Sequence, residues 1–140
     1  CKFCEVAEKT REAAIVFEED VSIAFLDHRP LFPGHGLLIP HVHLQTLTDL
    51  SDALAARLFR NTRLLSQAVE EGMEAAGSFV AINNKVSQRI LPLHVHIVPR
   101  NKQDGLRTFF GSRNPYRDDA HREQVRRRLH QKILELQGKE

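Results

Sequence analysis

The stretch RILPLHVHIVPR, residues 89–100, decides how the rest of the chain reads. Its apolar run predicts a β-strand over LHVHIVP, residues 93–99. Side chains alternate across a strand, so His94 and His96 share one face while Leu93, Val95 and Ile97 take the other. At a rise of ~3.3 Å per residue, the two histidine Cα atoms lie about 7 Å apart. Two imidazoles at that separation can serve one site in different roles. A neutral imidazole can attack phosphorus, and the phosphoramidate it forms is labile because imidazole leaves readily. Taken alone, one H-x-H pair reads as satisfied or surface histidines, so the weight must come from other residues.

Several segments supply it. His35 follows Pro33-Gly34 on a turn that leads into a short buried strand stopped by Pro40. Asn83, Asn84, Ser87 and Gln88 form a polar cluster just before the histidine strand. Such amides and hydroxyls can hold phosphate oxygens or a leaving group. Asp27, at the end of SIAFL, is a carboxylate suited to gripping a ribose diol, although by itself it also fits a turn-forming Asp before His28-Arg29-Pro30. Cys1 and Cys4, spaced C-x-x-C, supply half a tetrahedral zinc site, and HVH at 41–43 offers His41 or His43.

The remaining sequence frames these groups. AAIVFEEDVSIAFLDHRP, residues 13–30, predicts two strands joined at Glu19-Asp20. Residues 1–10 predict a turn becoming a short helix. From Thr48 to Gly77, Leu54, Leu58, Leu65, Val69 and Met73 recur at about 3.6-residue spacing or its multiples. That is an amphipathic helix with Thr48, Asp49 or Ser51 as N-cap and Gly72 or Gly77 near its end. SFVAINN predicts a further strand. Val125, Leu129, Ile133 and Leu136 mark a final amphipathic helix over about 118–137. Strands, helix, strands, helix make an α+β domain with an antiparallel sheet, one long central helix and a C-terminal helix. With 140 residues and no linker or repeat, the chain reads as a single domain over residues 1–140.

Composition narrows the function classes. Apolar and charged fractions of 41% and 27% are those of a globular protein, and no apolar run approaches the ~20 residues of a membrane span. Net charge is +2, with much of the basic excess after Arg100. Without interleaved aromatics, the Arg126-Arg127-Arg128 run reads as a solvated helix face rather than a nucleic-acid surface. One close cysteine pair does not make a disulfide framework; with no signal-peptide pattern at the start of the given sequence, zinc or redox use is the better reading and the expected location is the cytoplasm. The chain begins at Cys1 rather than Met, so further residues are expected upstream.

AFLDHRPLFPGHGLLIP, FVAINNKVSQRILPLHVHIVPR and DGLRTFF together resemble the histidine-triad (HIT) superfamily, over roughly Cys1 to Phe110. The likeness is closest to the bacterial branch with an N-terminal C-x-x-C. It implies a small α+β domain paired as a two-fold homodimer, and a nucleotide hydrolase or transferase acting at the α-phosphate. By resemblance, His94 is the nucleophile, and His96 and His35 orient or stabilise the phosphate. Gln88 contacts phosphate or leaving group, and Asp27 holds the ribose hydroxyls. Phe25 and Leu26, with Phe3 nearby, line the base pocket. His28, Asn83 and Arg89 complete the expected nucleotide-binding set. The resemblance also implies a structural zinc on Cys1, Cys4 and His43, and no organic cofactor.

The family's defining motif is H-x-H-x-H, and here its first histidine is Pro92. Proline keeps its C=O and loses only its N–H. The carbonyl that orients the nucleophile can therefore survive, whereas an imidazole ligand to zinc cannot. Ser87 stands where many members have glycine. Arg89 stands where many have a small hydroxyl residue, and two placements are open to it. It either makes a charge-assisted contact to an anionic substrate or flanks the strand outwardly. The expected substrate is a purine nucleotide conjugate, a phosphoramidate or a dinucleoside polyphosphate, with water or phosphate as acceptor. The alternative is a nucleotide-binding or regulatory protein in which Pro92 marks weakened catalysis. A purely zinc-binding module on Cys1, Cys4, His41 and His43 leaves the histidine strand unexplained.

Overall fold

A computed structural model describes residues 2–7, 12–86, 88, 92–107 and 113–139. Helix α1 (Lys2–Ala7) precedes strands β1 (Ile15–Glu18), β2 (Ser22–Leu26) and β3 (Gly36–Pro40). A short 3-10 turn (Leu47–Asp49) leads into helix α2 (Asp52–Gly72), then β4 (Gly77–Ala81), β5 (Val95–Arg100) and helix α3 (Asp119–Leu136). The strands form one sheet in the order β1-β2-β3-β5-β4, and every neighbouring pair is antiparallel. This is the α+β architecture expected from the element order.

Capping chemistry sets where the helices begin. Of the three candidate N-caps for α2, Ser51 is the one used: its Oγ accepts from the Leu54 N–H at 3.2 Å. Asp118 does the same for α3, accepting from the His121 N–H at 2.7 Å. The stripe of α2 buries Leu58, Leu65 and Val69, and its buried Asn61 donates to Ser22 Oγ and Glu19 Oε1 at 2.8 and 2.6 Å. The α3 stripe of Val125, Leu129 and Ile133 is buried as well. In the arginine run, Arg126 and Arg127 both pair with Glu123, and Arg126 also reaches the Ile15 carbonyl on edge strand β1.

Both helices lie on one face of the sheet. Their core takes Ala24 and Leu26 from β2, Leu38 from β3, and Leu93, Val95 and Ile97 from β5 and its approach. The opposite face gathers Ile23, Phe25, Leu37 and Ile39, covered by Phe3 and Val6 of α1. Cross-strand register lines up Phe25, Leu37 and His96 on that second face. The alternation expected for His94 and His96 is thus realised. The strand's bounds differ: it runs Val95–Arg100 rather than 93–99. Pro92 has no N–H for the ladder, and the Leu93 N–H bonds the Leu44 carbonyl at 2.7 Å instead.

Candidate active site

The site is built where the β2–β3 loop meets the approach to β5. The Pro33-Gly34 turn delivers His35. Gly34 has φ +97°, and a Cβ there would lie 2.7 Å from Met73 Cγ, so both conformation and space require glycine. The Asp27 N–H bonds the His35 carbonyl at 2.9 Å, which fixes the two residues side by side.

Hydrogen bonds then assign every ring proton. The Leu31 N–H donates to His35 Nδ1 at 3.0 Å, so neutral His35 carries its proton on Nε2. That proton goes to His96 Nδ1 at 3.0 Å, which leaves the His96 proton on Nε2. Asp27 Oδ2 is 3.8 Å from His35 Nε2, too long to compete for the same proton. His94 Nδ1 donates to the Pro92 carbonyl at 2.9 Å, because a carbonyl can only accept. His94 Nε2 is therefore an unprotonated lone pair. The two rings meet edge to face, with centroids 4.8 Å apart.

Burial keeps these rings neutral. His35 is 0% exposed, and His94 and His96 are 7% and 8% exposed. Desolvation drives His35 well below the ordinary imidazole value, with the charges of neighbouring His96 and Arg113 adding to it. For the same reason His96 is lowered to about 3, helped by His94 and Arg113. Desolvation lowers His94 too, against the opposing Pro92 hydrogen bond and the Asp27 charge. The Asp27 carboxyl is raised by burial, partly offset by the Arg29 N–H it accepts at 2.9 Å. Phe3 of α1 closes one side, edge-on to His94 at 5.0 Å and to Phe25 at 5.5 Å.

A lone-pair imidazole beside a second imidazole that presents N–H is a nucleophile next to a hydrogen-bond donor. The HIT domain pattern matches residues 8–103 of the chain. The chain belongs to the HIT family. A zinc-bound histidine triad family protein from Mycobacterium smegmatis has the same fold, with a TM-score of 0.85 and 31% identity. The match covers 99% of this chain and 96% of that one. The adenylylsulfatase HINT3 of Arabidopsis thaliana is 30% identical over 108 residues, which are 76% of this chain and 55% of that protein. An asymmetrical bis(5'-nucleosyl)-tetraphosphatase of Schizosaccharomyces pombe is 34% identical over 92 residues, 64% of this chain and 50% of that protein. This HIT chain thus spans about half the length of those two relatives.

The HIT fold gathers some expected residues and sets others apart. His94, His96, His35, Asp27 and Phe25 converge. Leu26 does not join them: strand alternation turns it into the helix-facing core. His28 lies at the rim, 71% exposed, with Nδ1 3.8 Å from Asp27 Oδ1. The Gln88 amide braces its own loop, accepting from the Lys85 N–H at 2.8 Å and donating to the Gln45 carbonyl at 2.5 Å. Asn83 is half-buried, and neighbouring Asn84 accepts from the Leu47 N–H at 2.8 Å. Cys1, Ser87 and Arg89 lie outside the described residues.

Two groups have metal-binding chemistry. Cys4 Sγ is 2.9 Å from His43 Nδ1, an adjacent sulfur and nitrogen of the kind zinc takes. His41 turns away, its Nε2 donating to the Glu19 carbonyl at 2.9 Å. Asp27, His35 and His96 also offer ligand atoms within 4.8 Å of one another, but the His35–His96 proton occupies the space between two of them. Sequence reasoning missed Arg113, Asn114 and Tyr116, which bond to or act on the His35 loop. Asn-Pro and the chain's single tyrosine mark a turn, but nothing local says which loop they reach.

The neutral histidines make stability depend on acidity. In the unfolded chain each histidine gains a proton below about pH 6.5, whereas folded His96 stays neutral down to about 3. The unfolded state binds more protons in that window, so stability is full above it and lost as pH falls. Asp27, raised in the fold, acts weakly in the other direction. Urea denaturation is expected to give a lower midpoint at about pH 5 than at about pH 7.5, by on the order of 1.4 kcal/mol per pH unit for each histidine held neutral. Equal midpoints would mean that the imidazoles titrate freely in the folded protein.

Proposed function

We propose that this protein is a nucleotide hydrolase or transferase that cleaves at the α-phosphate of a purine nucleotide conjugate through a nucleotidyl-histidine on His94. The observation that carries the reading is the Nδ1 bond to the Pro92 carbonyl, which leaves His94 Nε2 an unprotonated lone pair on a ring packed against His96. The relatives named adenylylsulfatase and bis(5'-nucleosyl)-tetraphosphatase support the substrate class.

In the first step His94 Nε2 forms a bond to the α-phosphorus as the bond to the leaving group breaks. The ring becomes an imidazolium, and its charge is offset by the Pro92 carbonyl and by Asp27. His96 Nε2–H, held in that tautomer by His35, donates to a phosphate oxygen where negative charge grows. The leaving group takes a proton from solvent as it departs. Water or phosphate then attacks the same phosphorus, the P–N bond breaks, the acceptor gives up its proton to solvent, and neutral His94 is released. Asp27 holds the ribose hydroxyls, and Phe3 and Phe25 wall the base. Gln88, Asn83, His28 and Arg89 belong to the same nucleotide-binding proposal, on the resemblance alone. Leu26 would act only as support behind Phe25.

Release of AMP from adenosine phosphoramidate and from diadenosine polyphosphates is the decisive assay. Wild-type protein is expected to release AMP, and His94→Ala to lose at least about a thousandfold in kcat. Retained activity in His94→Ala would sink the covalent route. Tight nucleotide binding without any release by the wild type would turn the reading to a binding or regulatory protein.

The proposal extends to a structural zinc on Cys1, Cys4 and His43, supported by the Cys4–His43 approach and by the zinc-bound relative. When bound, the ion would tie the N-terminal helix to the loop after β3 and contribute folding energy. Since Pro92 offers no imidazole, Pro92→His is expected to tighten zinc in a chelator competition titration. An unchanged affinity would put the metal elsewhere.

A two-fold homodimer is part of the same reading, supported by the edge position of β4 and its exposed Val80. Sedimentation that finds only monomer at micromolar concentration would remove it. The cytoplasm is the proposed location, on the cysteine usage.

A further inference from the structure

The segment after the histidine strand returns to the site by contacts that do not involve the histidine motif. Asn114 donates its backbone N–H to the Pro30 carbonyl at 3.1 Å and its Nδ2–H to the Leu31 carbonyl at 2.9 Å. Two residues on, Tyr116 Oη accepts from the Gly34 N–H at 3.1 Å. These bonds fasten residues 114–116 along the loop that runs from Asp27 to His35. Arg113, immediately before Asn114, is thereby held beside this loop at Pro30 and Leu31.

Arg113 is exposed, and its guanidinium has no hydrogen bond or ion pair among the described residues. Its charge nonetheless reaches inward. Behind burial, it is among the influences that lower His35 and His96, and it opposes the burial that raises Asp27. The three buried imidazoles are neutral and bring no positive charge to a phosphate. A substrate with a single phosphate can be held that way. One carrying a second phosphate brings further negative charge with no countercharge from the histidines. Arginine presents a planar fork of donors that matches phosphate oxygens, and it stays charged at every relevant pH.

We propose that Arg113 binds a second phosphate of the nucleotide substrate, distinct from the phosphate that meets His94, and so selects doubly phosphorylated nucleotides. This rests on the nucleotide-binding reading above. Two sources can supply that phosphate: the chain beyond the reactive phosphorus, or a phosphate on the ribose beside Asp27. Either leaves AMP as the ligand that lacks the contact.

Titration calorimetry of the full chain with AMP, ADP and adenosine 3',5'-bisphosphate tests it, in wild type, Arg113→Gln and Arg113→Lys. In wild type at least one of the two bisphosphorylated ligands is expected to bind about tenfold tighter than AMP. That ratio is expected to fall to about twofold or less in Arg113→Gln, and to recover in part in Arg113→Lys, which keeps the charge without the fork. The gain should also shrink as salt is raised, since an exposed ion pair is screened. The ligand that shows the gain identifies the source, chain or ribose. A ratio of one in wild type, or a gain that survives in Arg113→Gln, overturns the assignment while AMP binding leaves the nucleotide reading standing. Absence of AMP binding in wild type overturns both. Because Arg113 is exposed and has no partner among the described residues, its variants are expected to fold as the wild type does, which circular dichroism checks alongside.

Discussion

The hydrogen bond from His35 Nε2 to His96 Nδ1 is the interaction on which the site depends. It joins two buried rings, and with both neutral His35 holds its proton on Nε2, facing His96, while His96 holds its own on the far nitrogen. A neutral hydrogen bond contributes about 1 kcal/mol, whereas an uncompensated buried charge costs several. Neutrality therefore wins wherever the surrounding structure excludes water. The Leu31 N–H begins the chain by occupying His35 Nδ1, so a backbone group in a loop ends up choosing the tautomer of a ring on β5.

That chain requires a sheet with two unlike faces. On one, α2 and α3 bury Val95 and Ile97; on the other, α1 brings Phe3 against Phe25 and the edge of His94. A strand alternates at every residue, so a single short segment serves both faces. The apolar set anchors β5 in the core, and that anchoring holds the two imidazoles to within the tolerance that their hydrogen bonds demand. The Gly34 turn is matched to the same frame, because the end of α2 fills the space a side chain would need.

Pro92 illustrates which part of a motif the chemistry uses. The orienting bond to His94 comes from the main chain, so losing the imidazole at that position leaves the tautomer of His94 unchanged. What disappears is a side-chain nitrogen at that position. A residue type and the atom that performs a role are separable, and only the atom matters to His94.

Much was legible in the sequence because local rules decide it. The H-x-H alternation, the two apolar stripes and the Pro-Gly turn all follow from a residue and its near neighbours, whereas Ser51 was one of three cap candidates until the structure chose it. The strand order was legible only as a class, and the later start of β5 turned on where the Leu93 N–H found its partner. Leu26 and Phe25 are adjacent and similarly apolar, yet only register and packing show which one faces the histidines. The partners of the Gln88 amide were beyond reach for a related reason: a long polar side chain takes whatever partner folding brings within about 3 Å. Thus the sequence by itself determined the elements and the pairing of His94 with His96 on one strand face. Only the tertiary structure decided the protonation of the rings, because desolvation and hydrogen-bond partners come from residues far apart along the chain.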